Sequence, residues 1–283
     1  MKRIAITSKR HAKGNEKIFR SVYSYLIKVG KEVYVEKQIA EQIGLKEYKE
    51  YVRGKTGVDL ILVMGGDGTI LSVVQRLKKL NTRIFGINMG TLGFMSEIPP
   101  VQINKTLDKI FVGHFTVDER PMLRVEIERK GKIIKKYHAL NEAVISQATL
   151  ARLIHLRTRV NDRKLTTYEA DGLIIATPTG STAYSLSAGG PIVYPSMNAF
   201  IITPICANTF TQKPIVIPDS KQIEIVVETD YKRINLTIDG QESKALQYKD
   251  HIRITRDGSI QFVRLPNESF FSTLREKLNW GEK

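Results

Sequence analysis

Cysteine is almost absent from this chain. Its 283 residues include one cysteine, Cys206, so the chain can form neither an internal disulfide nor a zinc site built from cysteines. Long apolar runs are also absent, and none approaches the roughly 18 residues of a membrane helix. The basic N-terminal segment, residues 1–10, has too short an apolar part for a signal peptide. We therefore expect a cytoplasmic protein that does not contact a membrane.

Acidic residues are fewer than basic residues in this chain. The chain has 44 Lys and Arg against 29 Asp and Glu, a formal net charge of +15. Such an excess attracts polyanions such as dinucleotides, ATP or nucleic acid. The basic residues are scattered, and no stretch interleaves them with aromatic side chains as nucleic-acid platforms do. We expect a small polyanionic ligand and no nucleic acid, although a basic surface with no ligand explains the charge equally well.

Two sequence patterns divide the chain. Over residues 1–100, short apolar strands alternate with helix patterns at 16–28, 41–53 and 70–80, which favours a parallel sheet wrapped by helices. Over residues 101–265, a joining helix at 101–113 is followed by strand after strand, with turn signals at Asp239-Gly240 and Asp257-Gly258. We predict an α/β Rossmann-like domain followed by an all-β domain, a β-sandwich. The tail, 266–283, is predicted to be helical and to dock on the N-terminal domain.

A glycine turn behind a buried strand is the first candidate site. The strand ending at Met64 runs into Gly65-Gly66-Asp67-Gly68-Thr69, and an apolar helix pattern follows. Glycines permit positive φ and close approach, and N–H groups at a helix start lack internal partners, so the turn can cradle phosphates. Asp67 would repel phosphates unless it held a metal ion or took a proton from a hydroxyl nucleophile. The turn indicates phosphoryl transfer to an alcohol, although glycine turns after strands are also common for steric reasons.

A second candidate site is the block from Asp171 to Pro191, a buried strand followed by small hydroxyl residues and glycines. Little bulk and many donors suit contact with the phosphates, ribose and base edge of a nucleotide. Helix capping explains one or two of the hydroxyls and not five. The loop from Asn88 to Phe94 also follows a strand at the edge where ligands of such sheets bind, with a purely structural turn as an equal alternative.

Together these segments resemble the NAD kinase family. The matching residues, in family order over about 60–240, are Gly65 to Thr69, Asn88 to Phe94, Glu119 to Leu123, Asn141-Glu142 and Asp171 to Pro191. The resemblance implies transfer of the terminal phosphoryl group of ATP, or of polyphosphate in some members, to the 2′-hydroxyl of the adenosine ribose of NAD. NADP is then the product, Mg²⁺ accompanies the donor, and the chain forms a homodimer or homotetramer.

The resemblance also assigns roles to residues. Asp67 accepts the proton of the attacking hydroxyl or orients it, and no residue is expected to be a dedicated metal ligand. Asn141 pairs with an adenine edge, Glu142 with ribose hydroxyls, Tyr184 stacks on the base and Asp171 addresses the nicotinamide side. The full set of expected nucleotide ligands is Gly65, Gly66, Gly68, Thr69, Asn141, Glu142, Arg152, Asp171, Thr182, Ala183, Tyr184, Ser185, Leu186, Ser187 and Gln241.

The chain departs from the family pattern in two places. Thr203-Pro204-Ile205 continues as Cys206-Ala207-Asn208 where several members carry a Pro-His pair, and Glu169-Ala170 stands where some members have a basic and a small residue. The first segment receives no role here, and a phosphate contact at the second is not expected. Two other functions fit the glycine turn: a non-catalytic dinucleotide-binding sensor on the same scaffold, and a lipid or sugar kinase.

Overall fold

The computed structural model of the chain describes residues 1–9, 14–77, 82–90, 93–147, 153–230, 233–266 and 269–281. The chain divides into two compact units. The α/β unit comprises residues 1–119 and 260–283, and the β unit comprises residues 120–259.

The helices and strands are numbered in chain order. Those up to residue 111 are β1 (Arg3–Ser8), α1 (Glu16–Lys28), β2 (Glu32–Val35), α2 (Lys37–Gln42), β3 (Lys49–Glu50), β4 (Leu60–Met64), α3 (Asp67–Val74), β5 (Arg83–Ile87), β6 (Ser96–Ile98) and α4 (Ile103–Phe111). The remainder are β7 (Thr116–Arg129), β8 (Lys132–Ala139), β9 (Glu142–Gln147), β10 (Ile154–Val160), β11 (Arg163–Ala170), β12 (Gly172–Ala176), α5 (Tyr184–Ser187), β13 (Ala199–Ile205), β14 (Ile215–Pro218), β15 (Ile223–Val227), β16 (Ile234–Ile238), β17 (Glu242–Leu246), β18 (His251–Arg264) and α6 (Phe270–Leu278). Short 3₁₀ turns lie at Pro100–Gln102 and Thr179–Thr182.

The sheet of the α/β unit is parallel, with strand order β5-β4-β1-β2-β3. All five residues of β4 are buried, as expected for a central parallel strand covered on both faces. Helix α1 covers the sheet with Phe19, Val22 and Leu26, which recur at helical spacing and are buried. Because the strand order reverses between β1 and β4, the loop after β4 lies at the topological switch point, where such sheets bind ligands.

A largely buried ion pair links the ends of two of these strands to helix α3. Arg53 Nε lies 2.5 Å from Glu36 Oε1, and the two side chains are 10% and 12% exposed. Its guanidinium also donates to the hydroxyls of Thr7 at 3.0 Å and Ser72 at 3.1 Å. Arg53 therefore connects the end of β1 and the residue after β2 to helix α3.

The β unit is a sandwich of antiparallel sheets. One sheet has the order β14-β13-β12-β9-β16-β17, and the other contains β11-β10-β15 and the start of β18. In β12, Leu173 and Ile175 pack into the core that also contains β10 and β15, whereas Ile174 packs with Val193 on the opposite face. Both faces of β12 are covered, which explains its unbroken apolar sequence. The predicted fold class, an α/β domain with an all-β sandwich domain, is confirmed.

Two local expectations are wrong, and a third is correct in kind but not in its limits. Residues 41–53 contain the end of helix α2 and the two-residue strand β3 instead of one helix. The predicted helix at 70–80 begins earlier, at Asp67, and ends at Val74. Asp257-Gly258 is not a hairpin turn, because β18 continues through it with Gly258 at φ 100°. The early residues of β18 pair with β15 and Gln261 and Phe262 pair with β5, so long-range pairing on both sides holds the segment extended.

The compact units also differ from the predicted limits at residues 100 and 265. Residues 101–119 cluster with the α/β unit, because helix α4 packs Leu107 and Ile110 into its core. As limits of independently folding domains, 1–100 and 101–265 stay a prediction. Within the described residues, no helix has the length and apolar character to cross a bilayer.

Candidate active site

Two glycine-containing loops lie side by side in the α/β unit. Gly65, directly after β4, donates its N–H to the carbonyl oxygen of Ile87 at the end of β5, at 2.9 Å. Helix α3 then begins at Asp67, with Gly66 as its N-cap. The loops after β4 and β5 are therefore held together at the carboxyl edge of the parallel sheet, as predicted from the order of the strands.

The carboxylate of Asp67 is fixed by the second of these loops. The N–H of Phe94 donates to Oδ2 at 2.8 Å, and the N–H of Met95 donates to Oδ1 at 3.1 Å. Gly93 makes room for the carboxylate, since a Cβ there would lie 2.0 Å from Oδ1. The position of Asp67 at the first turn of α3 adds a favourable interaction with the helix dipole. The acid therefore has one defined orientation within its unit.

The glycines of the first loop are needed because they leave room for neighbouring atoms, and none of them has positive φ. Gly65, Gly66 and Gly68 are all outside the left-handed region, so the expected positive φ at this turn is wrong. A Cβ on Gly65 would lie 2.4 Å from Oγ1 of Thr69, so this glycine permits the tight entry into α3. A Cβ on Gly66 or Gly68 would meet nothing within 4 Å. The backbone at these two positions is thus open to close approach by a ligand.

A lysine from the C-terminal helix reaches the same acid. Nζ of Lys277, in the last turn of α6, lies 4.0 Å from Oδ2 of Asp67. The same ammonium lies 5.2 Å from the ring centroid of Phe94, and that ring packs against Phe270 at a centroid distance of 6.2 Å. Helix α6 is therefore anchored on the loop that holds Asp67.

In the β unit, a single buried carboxylate shapes the segment that carries Asn141 and Glu142. Asp239 accepts the backbone N–H groups of Leu140, Asn141 and Glu142 at 2.9, 2.8 and 3.0 Å. Asp239 and Gly240 have φ of 48° and 63°, the two left-handed residues of a tight hairpin turn between β16 and β17. The turn thus brings an acidic side chain under the start of β9.

The side chains of Asn141 and Glu142 are buried with unused polar atoms. Asn141 is 7% exposed and Glu142 is 6% exposed. Asn141 Oδ1 and Glu142 Oε2 have no hydrogen-bond partner among the described residues. Burial, followed by the negative charge of Asp239, raises the pKa of Glu142 to about 8. The raised pKa favours the protonated form of Glu142, which offers a donor as well as an acceptor.

Most hydroxyls of the block 171–191 make hydrogen bonds inside the β unit, a use that the sequence alone did not indicate. The hydroxyl of Thr177 donates to the carbonyl oxygen of Leu140 at 2.6 Å, and that of Ser181 donates to the carbonyl oxygen of Pro178 at 2.6 Å. The hydroxyl of Ser185 lies 2.9 Å from that of Thr203. The buried hydroxyl residues are Thr177, Thr179, Ser181 and Ser185. These hydrogen bonds hold the loop in shape, with Thr177 and Ser181 satisfying backbone carbonyl oxygens and Thr179 and Ser185 pairing with other side chains.

The same block packs directly on the Asn141 segment. A Cβ on Gly180 would lie 2.2 Å from the carbonyl oxygen of Asn141, and the N–H of Thr177 donates to that oxygen at 2.8 Å. Nη1 of the buried Arg120 donates to Oγ1 of Thr179 at 3.3 Å. Three of the segments that carry the sequence motif therefore meet in one place within the β unit.

The other expected ligands take varied positions. Tyr184, Ser187 and Gln241 are exposed, whereas Thr182, Ala183 and Leu186 are half-buried and Ser185 is buried. Asp171 accepts a hydrogen bond from Nε2 of Gln147 at 2.8 Å. Arg152 lies outside the described residues. Cys206, in the segment that departs from the family pattern, is exposed and has φ 47°.

Sequence reasoning missed two functional candidates. The Asp239-Gly240 pair signals a turn, and nothing in it indicates that the carboxylate accepts three backbone amides. Lys277 belongs to a segment that the sequence predicts only to be helical, and no pattern along the chain connects it with Asp67. Gly93 and Phe94 were included in the loop, but their contacts with the acid required the structure.

Comparison with known proteins decides the family. Residues 4–115 match the model of the ATP-NAD kinase N-terminal domain, and residues 140–265 match that of the C-terminal domain. An NAD kinase of Syntrophotalea carbinolica is 38% identical over 286 residues, covering 100% of both chains. One of Geotalea daltonii is 39% identical over 284 residues, again covering 100% of both. The chain belongs to the NAD kinase family.

Solved structures of the NAD kinase family agree. Yeast NADH kinase in complex with NADH superposes with a TM-score of 0.93 at 25% identity, covering 100% of this chain and 89% of that one. An NAD kinase from Archaeoglobus fulgidus in complex with ATP gives a TM-score of 0.74 at 30% identity, with 98% of each chain covered. The resemblance to the NAD kinase family that the motifs indicated is confirmed.

Proposed function

We propose that the chain transfers the terminal phosphoryl group of ATP to the 2′-hydroxyl of the adenosine ribose of NAD. A bond forms between that oxygen and the terminal phosphorus, the bond to the bridging oxygen breaks, and ADP and NADP leave. Membership of the NAD kinase family supports this reaction, as do the relatives that carry that name. The single structural observation that carries the proposal is the carboxylate of Asp67, held in one orientation in an open glycine turn.

Asp67 orients the hydroxyl and receives its proton. Each of its oxygens accepts one backbone N–H, and a carboxylate oxygen has a further lone pair that can accept a hydrogen bond from an alcohol. A positioned general base contributes about 10²–10⁴-fold to the rate, and alignment of the reacting atoms contributes the larger share in phosphoryl transfer. The fixed orientation of Asp67 suits it to both tasks.

Asn141 and Glu142 recognise the adenosine half of NAD. The unpartnered Oδ1 of Asn141 suits the exocyclic amine of adenine, and the unpartnered Oε2 of Glu142 suits ribose hydroxyls. A buried polar atom without a partner is unfavourable, so a ligand that satisfies it gains free energy on binding. Tyr184 is 47% exposed and offers a ring face for the base.

Mg²⁺ is better placed on the phosphates of the donor than in a site built from protein side chains. Among the described residues, no group of three or more His, Cys, Asp or Glu side chains could hold a metal ion. Mg²⁺ commonly keeps several waters and binds through substrate phosphates with few protein ligands. When bound, it neutralises charge on the phosphates of ATP, while the chain provides the N–H groups at the start of α3.

Several finer assignments remain predictions of the family resemblance. They comprise the ligand roles of Gly65, Gly66, Gly68, Thr69, Arg152, Asp171, Thr182, Ala183, Ser185, Leu186, Ser187 and Gln241. The use of polyphosphate, assembly into a homodimer or homotetramer, and a cytoplasmic location also remain predictions. A sensor or a lipid or sugar kinase is not favoured, since the relatives and structures compared above are NAD or NADH kinases.

A coupled assay of NADP formation tests the reaction. ATP and polyphosphate are offered separately, with and without Mg²⁺, and NAD is compared with diacylglycerol and a sugar as acceptor. We expect NADP from NAD and ATP with Mg²⁺, and a loss of several orders of magnitude in Asp67→Asn with unchanged thermal unfolding. Near-normal turnover in Asp67→Asn would remove the acid from its role, and binding of NAD without NADP formation would favour the sensor.

A further inference from the structure

Lys277 places a positive charge beside the acid of the phosphotransfer site. Its Nζ lies 4.0 Å from Oδ2 of Asp67, and the two side chains are 35% and 25% exposed. The ammonium also lies over the ring of Phe94, at 5.2 Å from the centroid. Its position is defined from two sides, by a carboxylate and by the negative face of an aromatic ring.

Helix α6 is built to hold this lysine in place. Ser269 caps the helix, accepting the N–H of Phe271 at 3.3 Å, and Asn279 ends it in the left-handed conformation. Leu274 is buried and Phe270 packs on Phe94. Lys277 lies in the last turn, where the helix dipole favours a cation. The helix thus presents the lysine to Asp67 without depending on the ion pair alone.

A positive charge near Asp67 would favour binding of the donor phosphates. An acid that receives a proton from the ribose hydroxyl lies close to an incoming polyanion, and like charges at short range oppose binding. A nearby cation offsets the charge of the acid and attracts the donor phosphates. Arg264 is a second cation in this region, but its Nε lies 3.2 Å from Oδ2 of Asp118 and its Nη2 donates to the carbonyl of Phe94 at 3.3 Å. Arg264 therefore braces the loop, whereas Lys277 faces the acid.

We propose that Lys277 binds the terminal phosphate of the donor and offsets the charge of Asp67, which makes helix α6 part of the phosphotransfer site. This inference rests on the phosphoryl transfer proposed above. It assigns a substrate contact to the C-terminal helix, which the sequence motifs do not include.

The test measures binding of a non-hydrolysable ATP analogue with Mg²⁺ to the full chain by calorimetry at low ionic strength. Lys277→Met should weaken binding about tenfold, the size expected for one charge near a phosphate. Lys277→Arg keeps the charge and should bind within about threefold of the wild type. Arg275→Met, which removes a positive charge from an exposed position on the same helix, is the matched control and should leave binding unchanged.

Removing the negative charge of Asp67 as well should restore binding of the analogue in Lys277→Met. Asp67→Asn should tighten binding of the analogue, and Asp67→Asn/Lys277→Met, which removes both charges, should return to within about threefold of the wild type. In the NADP assay, Lys277→Met should raise the KM for ATP and leave the KM for NAD unchanged.

Three results would overturn the proposal: wild-type binding in Lys277→Met, an equal loss in Arg275→Met, or a double variant as weak as Lys277→Met. If the wild type forms no NADP, the proposed function fails, and the analogue titrations still decide whether Lys277 binds a donor phosphate. If NADP forms normally and Lys277→Met binds like the wild type, only the role of Lys277 fails.

Discussion

Gly93 and Asp67 occupy adjoining space so tightly that residue 93 can carry no side chain. A Cβ on Gly93 would lie 2.0 Å from Oδ1 of Asp67 and 2.6 Å from its Cγ. Atoms do not approach so closely, so the carboxylate keeps its position only while residue 93 is glycine. The second loop therefore contributes to the site through one absent side chain and the two N–H groups that follow it.

Gly93→Ala should reduce the rate of NADP formation by about 10²-fold or more, because a displacement of about 1 Å at a reacting group has this effect. Thermal unfolding should change less than turnover, since the atoms that a Cβ would meet are the side-chain ends of Asp67 and Ser96, which can shift. The matched control is Gly57→Ala, where a Cβ would meet nothing within 4 Å. Wild-type turnover in Gly93→Ala would show that this contact does not set the position of Asp67.

Glu142 should make stability fall as pH rises. Burial and the charge of Asp239 raise its pKa to about 8, so between the unfolded pKa of about 4.3 and pH 8 the folded state holds a proton that the unfolded state releases. Stability is lost across this window and levels off above it. Glu142→Gln removes the effect, so its free energy of unfolding relative to the wild type should increase with pH, by on the order of a few kcal/mol in total.

Urea unfolding of the wild type and of Glu142→Gln from pH 4 to pH 9 measures the difference between their free energies of unfolding. Asp239→Asn would leave Glu142 with less repulsion but disturb three amide contacts, so Glu142→Gln is the cleaner variant. Curves that run parallel over the whole range would contradict the raised pKa.

Tyr184 should contribute to coenzyme affinity and little to folding. Its side chain is 47% exposed, and stacking of a base on an aromatic ring is worth about 1–3 kcal/mol. Tyr184→Ala should weaken binding of NAD by that amount in a calorimetric titration. Tyr248→Ala, at a tyrosine of the same unit that is 50% exposed, serves as the control. Unchanged affinity in Tyr184→Ala would mean that the adenine stacks elsewhere.

The largely buried pair of Arg53 and Glu36 should contribute to the stability of the α/β unit. Arg53→Met leaves the largely buried carboxylate of Glu36 without its charged partner and should destabilise the chain by about 1–3 kcal/mol. Arg53→Met/Glu36→Gln should recover part of the loss, because the uncompensated charge is gone. Arg3→Met breaks a more exposed pair with Asp59, at 3.7 Å, and should change stability by less than about 1 kcal/mol. Chemical unfolding of the wild type and these three variants gives their free energies of unfolding. Equal effects of Arg53→Met and Arg3→Met would contradict the prediction.

Local patterns in the sequence predicted those elements whose residue spacing is itself the signal. Helix α1 begins and ends where its apolar spacing indicated, at Glu16 and Lys28, and strand β4 covers Leu60 to Met64 as its apolar run predicted. The turn after β4 identified Asp67 because glycines, a carboxylate and a following helix pattern are adjacent in the chain. The same reasoning was wrong at Asp257-Gly258, because pairing with β15 and β5 prevailed over a turn signal.

The sequence by itself therefore determined the fold class, the family and the acid at the centre of the proposed reaction, all of which depend on patterns within short segments. Only the tertiary structure decided what surrounds that acid and what surrounds Glu142. It placed Lys277 and the N–H groups of Phe94 and Met95 on Asp67, set Asp239 beneath Glu142, and turned most hydroxyls of the 171–191 block inward. These contacts join residues far apart in the chain, and their geometry follows from how strands and helices pack rather than from any spacing along the sequence.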